Sequence, residues 1–189
     1  MEKAIFLDKD GVLNEDRKLT GDYKNTVIFP YAGEVIAYLR SRKFKVFIVS
    51  NQPVVARGLI TEKELRGSFK KFLKELLRQN KDAIVEKIYY CPHHPDATLE
   101  KYRQLCDCRK PKPGMLKKAA IEHALDLREC YMVGDRISDI VAGYLAGCRT
   151  VLCRTGRQNK KMIVTDLKVP DVTPDYCISD IRGLKELIK

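Results

Sequence analysis

The chain has 189 residues, is 44% hydrophobic and carries a formal net charge of +11. We expect one domain, residues 1–189, to bury a core without disulfide bonds, and no apolar run approaches the roughly 18 residues that a membrane span needs. The charge fits a nucleic-acid surface or a field that attracts small anions, and the scattered lysines, not interleaved with aromatic residues, argue against nucleic acid.

The seven cysteines are an odd number, which does not suit a disulfide framework. We therefore expect a reducing compartment and a cytoplasmic protein. Four cysteines lie in or beside apolar segments, where a free thiol behaves as a small buried hydrophobe: Cys130, Cys148, Cys153 and Cys177. No long apolar surface stripe is evident, so we expect a monomer.

Short apolar segments alternate along the chain with longer segments of helical period, which is typical of parallel strands joined by helices. The predicted strands are residues 4–7, 46–49, 88–90, 131–133, 150–152 and 176–178. The predicted helices are residues 33–42, 61–80, 114–124, 138–146 and 181–188, and residues 164–174 are predicted to form a surface loop. Thr61 and Glu64 fit a capping box, and Pro113 fits the start of a helix.

The sequence Asp8-Lys9-Asp10-Gly11 follows directly on the first predicted strand. Ligands bind at the carboxyl ends of strands in open α/β sheets. Because residues two apart on an extended chain share a face, Asp8 and Asp10 should converge while Lys9 turns away. Two adjacent anions repel one another unless a cation joins them, which favours a hard metal such as Mg2+. The structural alternative is a turn built from Asp and Gly.

Further polar groups follow other predicted strands. Residues 46–49 lead into Ser50-Asn51-Gln52, which can donate to phosphate oxygens, and residues 131–133 lead into Gly134-Asp135-Arg136, with Asp139 one turn later. Between them, Arg109-Lys110-Pro111-Lys112-Pro113-Gly114 supplies cations and opens a helix, whose N-terminus favours an anion.

The order Asp-x-Asp-Gly, Ser-Asn, Lys-Pro-x-Pro and Gly-Asp-x-x-x-Asp resembles the four motifs of the haloacid dehalogenase superfamily of phosphatases. The resemblance runs from about residue 5 to residue 153 and implies a three-layer αβα sandwich around a mainly parallel, Rossmann-like sheet. It implies that Asp8 attacks phosphorus to form an aspartyl-phosphate and that Asp10 protonates the leaving oxygen. Ser50 and Lys110 would bind the transferring phosphoryl group.

The same resemblance implies a catalytic Mg2+ held by the Asp8 side chain, the Asp10 backbone carbonyl and Asp135. Asp139 would orient its neighbours through hydrogen bonds and not bind the metal directly.

Cys91-Pro92-His93 and Cys106-Asp107-Cys108 offer three thiolates and one imidazole, a set suited to tetrahedral Zn2+. All four positions would be filled by protein, so this zinc loop, about residues 91–108, would be structural. Residues 94–105 have too little apolar content to order themselves, and a metal would fix them beside Arg109. His94 could replace His93, and ordinary loop cysteines are the alternative to a metal site.

A closer resemblance, to the D-glycero-D-manno-heptose-1,7-bisphosphate 7-phosphatases, rests on residues 6–11, 51–52, 56–58, 89–95, 106–111 and 113–115. That family makes activated heptose for lipopolysaccharide or related glycans and lacks a large cap domain. The resemblance implies a phosphorylated sugar substrate, with Arg109 recognising its second phosphate. The substrate-binding residues that it implies are Asp16, Arg17, Lys18, Leu19, Asn51, Gln52, Pro53, Arg57, Arg109 and Arg136.

Three positions depart from that family. Ser50 replaces the usual threonine, Pro53-Val54 replaces serine-glycine and removes a backbone donor, and the loop at residues 16–19 lacks a glycine-tyrosine pair. The enzymatic alternatives are a histidinol-phosphate phosphatase, which shares the zinc loop, and a polynucleotide 3′-phosphatase, which would explain the charge. A zinc-stabilised phosphosugar-binding protein without catalysis is the alternative outside the enzymes.

Overall fold

The computed structural model describes residues 2–16, 26–156 and 172–189. Within these ranges, six strands form one sheet in the order β3-β2-β1-β4-β5-β6, and every neighbouring pair is parallel. The strands are β1 Ala4–Leu7, β2 Lys45–Asn51, β3 Lys87–Cys91, β4 Tyr131–Gly134, β5 Arg149–Cys153 and β6 Tyr176–Ile178. All six predicted strands are confirmed, and the four between β1 and β6 extend one or two residues beyond their predicted ends.

The helices are α1 Ala32–Ser41, α2 Pro53–Ala56, α3 Glu62–Gln79, α4 Gly114–His123, α5 Ile137–Ala146 and α6 Leu184–Leu187. The capping box at α3 is confirmed, since Thr61 Oγ1 accepts from Glu64 N at 3.2 Å and Glu64 Oε2 accepts from Thr61 N at 2.8 Å. Pro113 is the N-cap of α4, one residue before its first turn. The predicted helix at residues 181–188 is a 3-10 turn, Ile181–Gly183, followed by α6.

Alternate residues of β1 face two helical layers. Ile5 and Leu7 pack into a core with apolar residues of α1, α3 and α6. Ala4 and Phe6 pack into a second core with residues of α4 and α5. Because side chains of a strand alternate between faces, a central strand with helices on both sides is apolar throughout. The three-layer αβα architecture is therefore confirmed, and the described residues hold no cap-sized insertion.

The short helix α2 was not predicted. Pro53 stands at its first position, where a missing N–H costs no intrahelical hydrogen bond. Val54 and Val55 are buried against Leu65 and Phe69 of α3. Val54, one of the residues that depart from the heptose phosphatase pattern, thus belongs to an apolar cluster with residues of α3.

The order of the strands brings three strand ends together. β1 lies between β2 and β4. Asp8 directly follows β1, Asp135 directly follows β4, and Ser50 is the penultimate residue of β2. The amide of Asp8 donates to Val133 O at 2.8 Å, which ties the end of β1 to β4. No helix in residues 2–16, 26–156 and 172–189 combines the length and apolar composition needed to cross a bilayer.

Candidate active site

Lys110 lies at the centre of the site at the carboxyl edge of the sheet. Its side chain is 1% exposed, and Nζ lies 2.9 Å from Asp8 Oδ1 and 2.7 Å from Asp139 Oδ1. Nζ also donates to Val49 O at 2.8 Å. A buried ammonium between two carboxylates is stable only where its remaining protons are also bound, as they are here.

Asp8, Asp135 and Asp139 bring one carboxylate oxygen each to within 4.8 Å of one another, and all three residues are buried. Burial raises the pKa of Asp8 to about 8, the charges of Asp139 and Asp135 push it in the same direction, and Lys110 opposes them. Lys110 and Arg136, whose Nε lies 3.8 Å from Asp135 Oδ2, are two cations against three carboxyl groups, so acidic side chains outnumber basic ones in this buried place. The oxygen donors and this acidic excess fit a hard divalent cation such as Mg2+.

Both oxygens of Asp139 have nitrogen partners. Oδ1 pairs with Lys110, and Oδ2 accepts from Arg136 N at 3.0 Å at the start of α5. This geometry agrees with the expectation that Asp139 orients its neighbours.

Two glycines close around the Asp135 carboxylate. Gly11 has φ +88, and a β-carbon there would lie 2.6 Å from Asp135 Oδ2. A β-carbon at Gly156 would overlap the same carboxylate. Thr155 Oγ1 donates to Gly11 O at 2.5 Å and links the two glycine segments. Sequence reasoning missed Thr155 and Gly156, although they follow the end of β5 as the other site residues follow their strands.

The carboxylate of Asp10 has its own set of donors. Oδ1 accepts from Lys9 Nζ at 2.7 Å and from Asn14 Nδ2 at 2.9 Å, and Oδ2 accepts from Gln52 Nε2 at 3.0 Å. Burial raises the pKa of Asp10, but the charge of Lys9 and the three hydrogen bonds outweigh it and hold the pKa below its ordinary value. The carboxylate is thus fixed from two sides.

The expectation that Lys9 turns away from the acidic pair is wrong. Strand β1 ends at Leu7, and the chain bends at Lys9, so the two-residue alternation of a strand no longer applies. For the same reason the Asp10 side chain does not join the metal-compatible group formed by Asp8, Asp135 and Asp139.

The Ser-Asn-Gln sequence at the end of β2 connects the Asp10 carboxylate to the backbone of Lys110. Gln52 Nε2 donates to Ser50 Oγ at 2.8 Å as well as to Asp10. Asn51 Nδ2 donates to Lys110 O at 2.9 Å, and Asn51 Oδ1 accepts from Lys110 N at 3.0 Å. The structure therefore places Asn51, a predicted substrate contact, against the Lys110 backbone.

Arg109 lies close enough to Arg57 and Arg136 for their charges to act on it. Burial lowers the pKa of Arg109, the charges of Arg57 and Arg136 act in the same direction, and the charges of Cys91 and Cys106 oppose them. Arg109 NH1 donates to His93 O at 3.0 Å, and Arg136 NH2 donates to Asp16 Oδ2 at 2.8 Å.

Such a group of cations suits an anionic substrate group. Of the other predicted contacts, Pro53 begins α2 directly after Gln52, and Arg17, Lys18 and Leu19 lie outside the described residues.

Cys91, His93, Cys106 and Cys108 form a second candidate metal centre, with ligand atoms within 4.8 Å of one another. Cys106 Sγ lies 3.4 Å from Cys91 Sγ and 3.3 Å from Cys108 Sγ. His93 Nδ1 lies 3.8 Å from Cys91 Sγ and 3.5 Å from Cys108 Sγ. These separations suit four ligands around one ion with metal–sulfur bonds of about 2.3 Å. His94 is engaged elsewhere, because its Nδ1 accepts from Asp96 N at 3.0 Å.

The protonation of this cluster favours a cation. The hydrogen bond with Cys91, together with contacts to Cys106 and His93, outweighs burial and lowers the pKa of Cys108 to about 5, whereas the pKa values of Cys91, through its hydrogen bond with Cys108 and burial, and of Cys106, through burial, are raised. A thiolate held among thiols and an imidazole is a ready ligand for a soft or borderline metal.

Glu62, at the start of α3, ties the metal-binding segment to the rest of the fold. Its oxygens accept from Tyr102 OH at 3.0 Å and from Tyr90 OH at 2.8 Å. Arg66 NH1 also reaches Glu62 Oε2 at 3.2 Å. Nothing in the sequence singled out Glu62, since a glutamate in the first turn of a helix is common.

The chain is similar to a known family model, to characterised proteins and to a solved structure. The HAD-hydrolase-like family model matches residues 107–184. The D-glycero-β-D-manno-heptose-1,7-bisphosphate 7-phosphatase of Haemophilus ducreyi (strain 35000HP / ATCC 700724) is 36% identical over 157 residues, covering 82% of this chain and 85% of that protein. The protein of the same name from Yersinia pestis is 37% identical over 187 residues, covering 98% of this chain and 95% of its own.

The crystal structure of D,D-heptose 1,7-bisphosphate phosphatase from B. bronchiseptica, complexed with magnesium and phosphate, has the same fold. It superposes with a TM-score of 0.79 at 30% identity, covering 99% of this chain and 97% of that one.

Proposed function

We propose that this chain, a phosphatase that belongs to the D-glycero-D-manno-heptose-1,7-bisphosphate 7-phosphatase family of the haloacid dehalogenase superfamily, removes the 7-phosphate from D-glycero-β-D-manno-heptose 1,7-bisphosphate. The observation that carries the proposal is Lys110 Nζ, buried between Asp8 Oδ1 at 2.9 Å and Asp139 Oδ1 at 2.7 Å. The substrate and its β-anomer follow from the names of the relatives.

Asp8 is the proposed nucleophile. One of its carboxylate oxygens attacks phosphorus, the bond from phosphorus to the leaving oxygen breaks, and an aspartyl-phosphate forms. Asp10 is the proposed acid and base: in its protonated form it gives a proton to the leaving oxygen, and as the carboxylate that its low pKa favours it takes one from the water that attacks the aspartyl-phosphate. Inorganic phosphate leaves and the Asp8 carboxylate is regenerated.

Lys110 and Ser50 hold the transferring group. The Lys110 ammonium beside Asp8 compensates the charge of the phosphoryl oxygens, and the Ser50 hydroxyl donates to one of them. Phosphoryl transfer depends mainly on positioning and charge, so these two contacts account for much of the expected rate enhancement.

The Asp8 side chain, the Asp10 backbone carbonyl and Asp135 would hold Mg2+. When bound, this ion offsets the repulsion between the enzyme carboxylates and the phosphate oxygens. The excess of acidic over basic side chains in this buried place supports the assignment.

Arg109, with Arg57 and Arg136, is proposed to bind the second phosphate of the substrate. The bond from Arg109 NH1 to His93 O at 3.0 Å supports this role, because it orients the guanidinium from the metal-binding segment. Zn2+ in the cluster of Cys91, His93, Cys106 and Cys108 would be structural, since all four positions are filled by protein.

A reducing compartment is needed to keep these thiols available for a metal, which supports a cytoplasmic enzyme. We also propose a monomer, which light scattering of the purified protein would test.

The test is a phosphate-release panel with Mg2+. It compares both anomers of heptose 1,7-bisphosphate, fructose 1,6-bisphosphate, histidinol phosphate and a 3′-phosphorylated oligonucleotide. The β-anomer of the heptose bisphosphate should give the highest kcat/KM, and a higher value for histidinol phosphate or the oligonucleotide would overturn the substrate assignment.

Asp8→Asn tests the mechanism. This variant should fold and lose activity on every ester in the panel, whereas Asp82→Asn, at an exposed carboxylate, should keep it. Near wild-type turnover by Asp8→Asn would remove the aspartyl-phosphate mechanism.

A further inference from the structure

We propose that Glu62 is a positioning residue for substrate recognition: it holds the metal-binding segment, residues 91–108, against α3 and thereby sets the distance between Arg57 and Arg109. This inference rests on the role proposed for these two arginines in binding the second phosphate of the substrate.

The Glu62 carboxylate joins three parts of the fold. Its Oε1 accepts from the Tyr102 hydroxyl, in the metal-binding segment, at 3.0 Å, and its Oε2 accepts from the Tyr90 hydroxyl, on β3, at 2.8 Å. Arg66 NH1, one turn further along α3, donates to Glu62 Oε2 and to the Tyr90 hydroxyl, both at 3.2 Å. Hydrogen bonds that a carboxylate accepts are stronger than those between neutral groups. The side chain is therefore a firm link between α3 and the segment.

Tyr102 passes this link on to the residues around the candidate metal centre. His94 N donates to Tyr102 O at 3.1 Å, and the rings of Tyr102 and His93 lie 6.2 Å apart between their centroids. Arg109 NH1 donates to His93 O at 3.0 Å. A continuous series of contacts thus leads from Glu62 through Tyr102 and His93 to the guanidinium of Arg109.

Arg57 belongs to the other side of this link. It directly follows Ala56, the last residue of α2, whose carbonyl accepts from Leu99 N of the segment at 3.0 Å. Apolar residues of α2 and α3 form one cluster, and the Tyr102 ring packs against it. Arg57 is therefore carried by α2 and α3, whereas Arg109 is carried by the segment that Glu62 holds against them.

The spacing of the two arginines matters for an anion that both would contact. Two guanidinium groups bind one phosphate well only at a matched separation, and a small misplacement of a binding group has a large effect. Lys110 does not depend on Glu62 in the same way, because Asn51 holds its backbone through two hydrogen bonds. Weakening the contact between Glu62 and Tyr102 should therefore impair binding of the second phosphate and leave the chemical step intact.

A merely structural contact would have different consequences. Loss of a structural contact would loosen the metal-binding segment, lower the zinc content and impair every substrate alike. Loss of a positioning contact should impair only a substrate that carries the second phosphate. Two substrates that differ in this one group separate the two roles.

The experiment measures kcat and KM of Glu62→Gln and Tyr102→Phe, with Mg2+, on heptose 1,7-bisphosphate and on heptose 7-phosphate, the same sugar without the phosphate at carbon 1. We expect KM for the bisphosphate to rise about tenfold, as for the partial loss of a charge-assisted contact, while KM for the 7-phosphate and both kcat values change less than about twofold. Zinc content should equal that of the wild type. Tyr102→Phe leaves α3 unaltered and remains a test if Glu62→Gln fails to fold.

The matched control is Glu75→Gln. Glu75 is an exposed carboxylate of the same helix, and its Oε2 lies 3.3 Å from Arg78 NH1. This variant should change the kinetics of neither substrate. In the background of Arg109→Met, Glu62→Gln should raise KM for the bisphosphate by less than about a further twofold, because its effect passes through that arginine. A full additive increase would overturn the inference.

Arg109→Met alone separates this inference from the proposed function. If Arg109→Met raises KM for the bisphosphate selectively and neither Glu62→Gln nor Tyr102→Phe does, the role of Glu62 is overturned and the role of Arg109 stands. If Arg109→Met affects both substrates equally, the proposed binding of the second phosphate fails and the inference about Glu62 fails with it. An equal loss on both substrates with a lower zinc content in the Glu62 and Tyr102 variants would identify a merely structural contact.

Discussion

The side chain of Asn51 and the backbone of Lys110 form two reciprocal hydrogen bonds, of 2.9 and 3.0 Å, across 59 positions of sequence. They join the end of β2 to the segment that precedes α4. The ammonium of Lys110 reaches Asp8 and Asp139 from a backbone that is fixed in this way.

Asn51→Asp is expected to lower kcat about 100-fold, because the new carboxylate repels Lys110 O and a small displacement of a catalytic group has a large effect on rate. The lost hydrogen bond should also lower the free energy of unfolding by about 1–3 kcal/mol. Steady-state kinetics and urea unfolding measure both. Gln104→Glu, at an exposed position, is the control. Unchanged kcat in Asn51→Asp would show that Lys110 is held by other contacts.

Mg2+ should bind more tightly as the pH rises towards 8. Burial raises the pKa of Asp8 to about 8 in the metal-free protein, so below that pH a proton must leave before the metal can bind. Each pH unit below the pKa should therefore weaken Mg2+ binding about tenfold, and the dependence should end above it. Calorimetric titrations at pH 6.5, 7.5 and 8.5 measure this. Asp8→Asn should remove the slope, and a flat profile in the wild type would contradict the assignment.

The same shift predicts how stability depends on pH. Asp8 ionises near its ordinary pKa of 3.8 in the unfolded chain but near 8 in the folded protein. Its contribution is therefore fully present below about pH 4 and is lost as the pH rises to about 8. Mg2+ should raise the thermal midpoint, and by more at pH 8.5 than at pH 6.5. An equal rise at both values would contradict this.

Cys108→Ser is expected to lower the zinc content from about one ion per chain to a small fraction, because one of four ligands is lost. KM should rise about tenfold or more and kcat should change less, since Arg109 is oriented by His93 whereas Lys110 is held by Asn51. Metal analysis and kinetics check this. Cys177→Ser, at an exposed thiol outside the cluster, should bind zinc as the wild type does.

Gly11→Ala should weaken Mg2+ binding about tenfold and destabilise the fold by about 1–3 kcal/mol. The backbone there has φ +88, and the added β-carbon would lie 2.6 Å from Asp135 Oδ2. Titration calorimetry and thermal unfolding measure the two effects. Gly67→Ala in α3, where a β-carbon meets nothing within 4 Å, should instead stabilise by about 0.5–1 kcal/mol. Unaltered Mg2+ affinity in Gly11→Ala would show that Asp135 tolerates displacement.

The fold was predictable because its strands are buried on both faces and their sequences are nearly all apolar, as in Ala4–Leu7. Helix α2 was not, because Val54 and Val55 have low helix propensity and are held by packing against Leu65 and Phe69. The metal cluster could be anticipated from its residue types, but the choice of His93 over His94 depended on which ring reaches the cysteines.

The site was predictable where residues lie at the carboxyl end of a strand: Asp8 and Asp135 directly follow β1 and β4, and Ser50 is the penultimate residue of β2. It was not predictable where the chain bends, because strand alternation does not extend to Lys9 once β1 has ended. Glu62 and Gly156 act through tertiary contacts that no local pattern reveals. The assignment of residues 1–189 to one domain stays a prediction.

Cys108, Arg109 and Lys110 are consecutive, yet each faces a different place: the thiolate cluster, the His93 carbonyl and the buried carboxylates. Successive Cα atoms are about 3.8 Å apart, so this stretch fixes the distance between the thiolate cluster and the buried ammonium of Lys110. Its side chains can be exchanged one at a time, but its length cannot change. One inserted or deleted residue would displace Cys108 from the thiolate cluster or Lys110 from the buried carboxylates. We therefore expect residues 108–110 to tolerate insertions and deletions poorly.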